Sequence, residues 1–308
     1  MHLDALTDMT SIFSVKGLVA AVTGGGTGIG REVSHALVAA GASKVYILGR
    51  RGVELDHCKT TSSKPSAIIP IICDVTSRNS LDAATAQIRS EAGYINLLFA
   101  NAGINDIPKA VMDPSSVQSL QEGLQTIVDV DMYAEVYRIN TLGTLETIIA
   151  FLALLDEGNR RNILFQTSQV LITSSITGTA KATYGNFGYA ASKAAIGLLA
   201  KQLSGILMPH HIRINVLVAG IYGQGMTAGM LQMLTRDDPT KKGSIQRKYI
   251  PAERAGSVID LTGTVLFLAS RAGGYISGAE IVSDGGLLAV PPSWAVPTPL
   301  SEFFGDIS

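Results

Sequence analysis

Cysteine is scarce in this 308-residue chain, which has only Cys58 and Cys73. Two thiols make no disulfide framework, neither has partners at metal-ligand spacing, and Cys73 lies in an apolar run, so no metal site is expected. Charge is equally thin. Charged residues are 16% of the chain and the formal net charge is -1. The densest basic cluster, Arg236, Lys241, Lys242, Arg247 and Lys248, reads as a solvated loop, so no nucleic-acid partner is expected. Long apolar runs are missing too: the longest, Ile148 to Leu155, is far too short to cross a bilayer, and the amino terminus carries Asp4 and Asp8 in place of a signal core. The expectation is a cytoplasmic protein with no membrane partner.

What is present is an apolar-rich globule, with 46% hydrophobic residues and enough length for one large domain. Short apolar runs of strand length recur at Leu18 to Val22, Lys44 to Leu48, Ala67 to Cys73, Asn96 to Ala100, Gln169 to Thr173, Arg213 to Val218 and Glu280 to Val282. Helical stretches lie between them, near Gly30 to Ala40, Leu81 to Ala92, Val117 to Leu155, Tyr189 to Met208 and Val258 to Ser270. This alternation predicts an α/β fold, a doubly wound and mainly parallel seven-stranded sheet with helices on both faces. Residues 1–15 read as a flexible leader, 16–290 as one domain and 291–308 as a proline-rich tail containing Trp294. The polar stretch Ile104 to Asp131 is longer than a strand-to-helix connection needs.

The usual G-x-G-x-x-G pattern fails, because its sixth position counted from Gly24 is Ile29; the spacing that fits is Gly24-x-x-x-Gly28-x-Gly30. Glycines that turn a strand into a helix let a phosphate approach the first helical N–H groups, where the helix dipole is positive. Gly24, Gly26, Thr27, Gly28, Ile29 and Gly30 are therefore the candidate pyrophosphate cradle. The second strand runs into Arg50 and Arg51, with no carboxylate until Glu54. An acid there accepts the ribose hydroxyls, whereas a guanidinium pairs with a 2′-phosphate, so NADP(H) is preferred and NAD(H) is possible. Asp74 and Val75 follow the third strand and Asn101, Ala102 and Gly103 the fourth, in the order of successive strand ends along a cofactor.

Tyr189 and Lys193 are four apart and share a helix face. An ammonium beside a phenol stabilises phenolate, so Tyr189 is a candidate general acid and base with a lowered pKa. Ser175 ends the fifth strand, where a hydroxyl can hold a substrate oxygen; Ser174 competes, but neighbouring strand residues face opposite sides. Asn140 sits in a helical stretch, an unfavourable place unless its side chain has work, such as ordering a water behind Lys193.

Taken together, Thr23 to Gly30, Asn101-Ala102-Gly103, Asn140, Ser175, Tyr189 with Lys193, and Ser283 to Gly286 resemble the classical short-chain dehydrogenase/reductase family over about Val15 to Leu288. The resemblance implies a Rossmann fold, hydride transfer between nicotinamide and a carbonyl or carbinol carbon, and a catalytic tetrad of Asn140, Ser175, Tyr189 and Lys193. Lys193 would also bind the nicotinamide ribose. It implies homodimers or homotetramers packed through the two long helices. The chain departs from the family after its sixth strand, reading Ala219-Gly220-Ile221-Tyr222-Gly223-Gln224 where Pro-Gly and a nearby threonine are usual. Gly220, Tyr222 and, after a loop shift, Thr227 are the expected cofactor contacts.

Gly220, Gly223, Gly225 and Gly229 mark a mobile lid over 221–251. Its Ile221, Met226 and Met230, with Ile176, are the candidate substrate pocket, apolar and adaptable. The expected substrate is a small-molecule carbonyl or alcohol, best an apolar ketone, aldehyde or enone. The polar insertion and proline-rich tail are similar to those of family members that tailor secondary metabolites. Two other readings stay open: a redox-neutral isomerase or cyclase, distinguished by product without nicotinamide turnover, and a non-enzymatic NADP(H)-binding regulator, distinguished by binding without turnover.

Overall fold

The computed structural model describes residues 9–106, 113, 115–181, 186–223, 225–227, 231 and 238–289. Of the expected pocket and lid residues, Met230, Met233 and Leu234 fall outside the described residues, as does the tail from Val290.

Every apolar run becomes a strand: β1 (Val19–Thr23), β2 (Lys44–Gly49), β3 (Ile68–Ile72), β4 (Leu97–Ala100), β5 (Gln169–Ser175), β6 (Arg213–Ala219) and β7 (Glu280–Ser283). All pair in parallel, in the order β3-β2-β1-β4-β5-β6-β7. The order reverses between β1 and β4, and the crevice above that point is where a doubly wound sheet takes its ligand. Pro70 is tolerated in β3 because that strand lies at the sheet edge.

Neighbouring strand residues divide between two cores. Val19, Ala21, Leu98 and Val170 pack with Ile88 of α4 (Arg78–Glu91), Phe151 of α7 (Thr144–Arg161) and Ile196 of α8 (Phe187–Leu207). Ala20, Val22, Leu97 and Leu171 pack on the other face with Val33 and Leu37 of α2 (Gly28–Ala39) and with Leu261 and Val265 of α9 (Val258–Ala269). Burial on both faces is why the strands read as unbroken apolar runs rather than as alternating ones. Truncating Phe151, fully buried between sheet and helix, to alanine would cost about 3–5 kcal/mol.

The stretch Val117 to Leu155 is not one helix. It divides into α5 (Val117–Ile127), α6 (Val130–Tyr137), a π-helical turn at Arg138–Gly143, and α7. Asp129 restarts the chain as the N-cap of α6, its Oδ1 accepting from the Met132 amide at 3.0 Å. Gly143 lets the turn lean on β3's exit loop, since a Cβ there would lie 3.0 Å from Val75 Cγ2. By length and composition alone the stretch Val130–Arg161 is apolar enough to span a bilayer, but over half of that window is buried inside the protein, as in a core helix.

Candidate active site

The carboxyl ends of β1, β4, β5 and β6 bring the expected residues to one edge of the sheet. At β1 the chain turns at Gly24 with φ +65° and enters α2 at Gly28 with φ +52°, left-handed values that glycine adopts freely. The turn is closed so tightly that a Cβ on Gly30 would lie 2.3 Å from the Gly24 carbonyl oxygen. Thr27 is the N-cap of α2 but makes no side-chain cap bond, so it leaves the first-turn N–H groups to another acceptor. This is a cradle that side chains would fill, and it fits a pyrophosphate.

Polar side chains hold the cradle in place. The Thr23 hydroxyl accepts from the amides of Asn101 at 3.0 Å and Ala102 at 3.1 Å. Asn101 donates in return to the Thr23 carbonyl at 3.2 Å and accepts from Thr173 at 3.1 Å, tying β1, β4 and β5 together. Arg51 donates to the Thr27 hydroxyl at 3.4 Å and pairs with Glu54 at 3.8 Å. Arg50 stands among the charges around Asp74. The Asp74 carboxylate accepts from the Thr76 amide at 2.9 Å and hydroxyl at 2.8 Å. Those bonds hold it below the usual carboxylate range, with the charges of Arg50 and Arg138 adding to the effect.

Strand parity separates the two serines. Ser174 donates to the Lys193 carbonyl at 3.1 Å, facing the backbone of α8, while the Ser175 hydroxyl accepts from the Thr177 amide at 3.3 Å and hydroxyl at 3.0 Å and lies near enough to the Tyr189 phenol to pull its pKa down. Lys193 Nζ lies 5.6 Å from the Tyr189 ring centroid and donates to the Thr173 carbonyl at 2.8 Å. Gly178 makes this closeness possible, for a Cβ there would lie 2.8 Å from the Lys193 backbone.

The expected lowering of the phenol is reversed in the protein itself. Burial pushes Tyr189 up, the Ser175 hydrogen bond opposes it, and the Asp106 carboxylate adds to it. Burial also pulls the Lys193 ammonium down to about 8. Desolvation is the largest influence on both groups.

The side chain of Asn140 grips the loop after β4 and meets the same face of Gly103 as Lys193 Nζ. Its Oδ1 accepts from the Ile104 amide at 2.9 Å, and its Nδ2 donates to the Ile104 carbonyl at 2.9 Å and to Ser192 at 3.0 Å. Asn140 thus clamps the β4 exit loop, from within a π-helical turn of the kind that recurs at functional sites.

Two of the expected residues, Ile176 of the pocket and Tyr222 of the cofactor site, are buried. Ile176 is buried in the core beneath α8, and Tyr222 is buried with its hydroxyl 2.6 Å from Ser283 Oγ and its ring against Gly256. Ile221 packs beside Leu231, Ile245 and Ile250, whereas Met226 is exposed. Gly220 is pressed on Asp284, 2.6 Å from a would-be Cβ. Thr227 donates to the Tyr222 carbonyl from a turn, Gly225–Thr227, that lies against α2.

One residue escaped the sequence. Asp106 is buried in the β4 exit loop, and its carboxylate accepts from the amides of Gly188 at 3.0 Å and Tyr189 at 2.9 Å. Asn186 disguises it: an asparagine just before a helix reads as the helix's own cap, yet its side chain makes no cap bond and points to Asn105. Among the described residues no cluster of His, Cys, Asp and Glu is arranged to hold a metal.

The family profile for short chain dehydrogenases matches residues 18–234, well over half of the chain. The chain is similar to the short-chain dehydrogenase/reductase PhomF of Diaporthe leptostromiformis, 41% identical over 283 residues that cover 92% of this chain and 95% of PhomF. It is also similar to the 3-oxoacyl-acyl-carrier-protein reductase MabA of Mycobacterium tuberculosis, 27% identical over 267 residues, 86% of this chain and 91% of MabA. Among solved structures, the Pseudomonas aeruginosa RhlG/NADP active-site complex superimposes with a TM-score of 0.73 at 26% identity, covering 90% of this chain and 98% of RhlG.

Proposed function

The chain belongs to the short-chain dehydrogenase family, whose members are NAD(P)-dependent oxidoreductases acting on a CH–OH or C=O carbon, and from that premise we propose that it is an NADPH-dependent reductase of apolar ketones, aldehydes or enones. The observation that carries the reading is the convergence of a strand-end hydroxyl, Ser175, and a helix phenol, Tyr189, beside the buried ammonium of Lys193, whose Nζ lies 5.6 Å from the phenol ring. The cradle from Gly24 to Gly30 would hold the pyrophosphate and Arg50 and Arg51 the 2′-phosphate; the RhlG/NADP complex supports that choice. Bound nicotinamide supplies the hydride that reaches the carbonyl carbon.

The protein supplies the proton. Ser175 donates a hydrogen bond to the carbonyl oxygen, and Tyr189 transfers its phenolic proton to that oxygen as negative charge grows there. Tyr189 is left as phenolate, which the Lys193 ammonium stabilises until solvent restores the proton. Asn140 keeps the β4 exit loop in register behind them.

Exposed Met226, on the turn that lies against α2, and the 3-oxoacyl chemistry in MabA's name favour an apolar carbonyl. Homodimers or homotetramers form through α7 and α8, whose outer faces expose Ile149, Leu198 and Ile206.

The test is turnover of NADPH and NADH with apolar ketones, aldehydes, enones and a 3-oxoacyl thioester. Alcohol forms in step with NADPH oxidation, and Tyr189→Phe lowers the rate by about 10²–10⁴-fold. Product without net nicotinamide turnover would replace this reading with a redox-neutral isomerase or cyclase.

A further inference from the structure

The helix that carries Tyr189 is capped from 82 and 83 residues away. A helix leaves its first N–H groups without intrahelical partners, and the residue just before it ordinarily satisfies the second or third. In α8 that residue, Asn186, makes no such bond. The second and third amides, Gly188 and Tyr189, are taken by the two carboxylate oxygens of Asp106 at 3.0 and 2.9 Å. The fit leaves no slack: a Cβ on Gly188 would lie 3.1 Å from Asp106 Oδ2 and 2.5 Å from the Tyr133 ring.

The loop bearing Asp106 is itself pinned. Asn140 holds both backbone groups of Ile104, two residues earlier, and reaches Ser192 on α8 at 3.0 Å. A rigid line therefore runs from the π-helical turn through Ile104 and Asp106 to the backbone of Tyr189.

We propose that Asp106 is a positioning residue for Tyr189: by capping α8 from the β4 exit loop it sets where the phenol stands against Ser175. The inference rests on the reading of Tyr189 as the proton donor. Among the described residues, the groups near the phenol are Ser175 from β5 and Lys193 from α8, while the charge of Asp106 acts on it from the loop; Tyr133 of α6 lies near Asp106, and Asp129 caps that helix. Of these, Asp106 is the anion acting on Tyr189, and it raises the phenol, as a like charge must.

The experiment compares wild type, Asp106→Ala, Asp106→Asn and Tyr189→Phe by three readouts. The first is hydrogen exchange in the peptide that begins α8, the second ultraviolet titration of tyrosinate with the Tyr189→Phe curve subtracted, and the third the pH profile of carbonyl reduction. Asp106→Ala speeds exchange and lowers kcat, each by about tenfold or more, with KM for the nicotinamide cofactor within about twofold. Asp106→Asn keeps an acceptor and loses the charge, so it restores most of kcat while the Tyr189 midpoint moves down by about half a pH unit or more. If kcat and midpoint match wild type in Asp106→Asn and Asp106→Ala, the inference is overturned; should Asp106→Ala fail to fold, the midpoint and alkaline limb of Asp106→Asn decide. Exchange and tyrosinate titration need no substrate. A wild type that reduces nothing while both of those move refutes the proposed reaction and leaves the cap standing; a Tyr189→Phe loss of turnover with both unmoved does the reverse.

Discussion

Lys193 donates its ammonium to the backbone carbonyl of Thr173 at 2.8 Å, so a buried cation is held by a strand end rather than by a carboxylate. Burial lowers it from 10.5 to about 8. Between those values the unfolded chain holds a proton that the native chain has released, so this group's contribution to stability rises with pH across that window. Lys193→Met should raise stability by about 1–3 kcal/mol at pH 7 while abolishing turnover, with the gain shrinking above pH 8. Denaturant unfolding at several pH values checks it.

The same two groups set the direction of catalysis with pH. Tyr189 is raised by burial and keeps its proton through neutral pH, and Lys193 keeps its charge below about 8. Reduction should therefore be flat through neutral pH and fall above about 8, while oxidation of the product alcohol rises as pH climbs. Profiles of kcat/KM in both directions would reveal an error if reduction instead increased toward pH 9.

Cofactor choice should follow the arginines after β2. Arg51 leans on Thr27 at the mouth of the cradle, and a guanidinium there is suited to a phosphate. Arg51→Glu should weaken NADPH by about tenfold or more and NADH far less, the difference shrinking in high salt. Fluorescence titration of both reduced cofactors decides it; equal loss for the two would remove Arg51 from the 2′-phosphate site.

Gly30→Ala should break the cradle outright. Its Cβ would lie 2.3 Å from a backbone oxygen that cannot swing away, an overpacking that costs about 1–3 kcal/mol and spreads the loop. A lower melting temperature together with lost cofactor binding is the expected pair of results; an unchanged affinity would mean the loop has another seat for the phosphates.

Much of the site was legible because its signals are local. The glycine spacing marks one strand-to-helix turn, and four residues from Tyr189 to Lys193 are one helical step. The parity argument named two serines, and only packing showed that Ser174 turns to the α8 backbone and Ser175 to the phenol. The break at Asp129 was hidden because the apolar period resumes in phase with a helix on either side of it. The seat of Tyr222 was hidden for a related reason: its hydroxyl partner, Ser283, is 61 residues away.

By itself the chain determined the α/β alternation, the seven parallel strands and the set of side chains delivered to their carboxyl ends, since these follow from periodicity and from glycine's freedom over a few residues. Only the tertiary structure decided how those side chains are held. Asp106 on the amides of α8, Asn140 on Ile104 and Lys193 on Thr173 join segments between 20 and 83 residues apart. Such bonds are set by where helices and strands come to rest, and no local pattern encodes them. The charge state of Tyr189 and Lys193 belongs to the same class, because desolvation is a property of everything packed around a group.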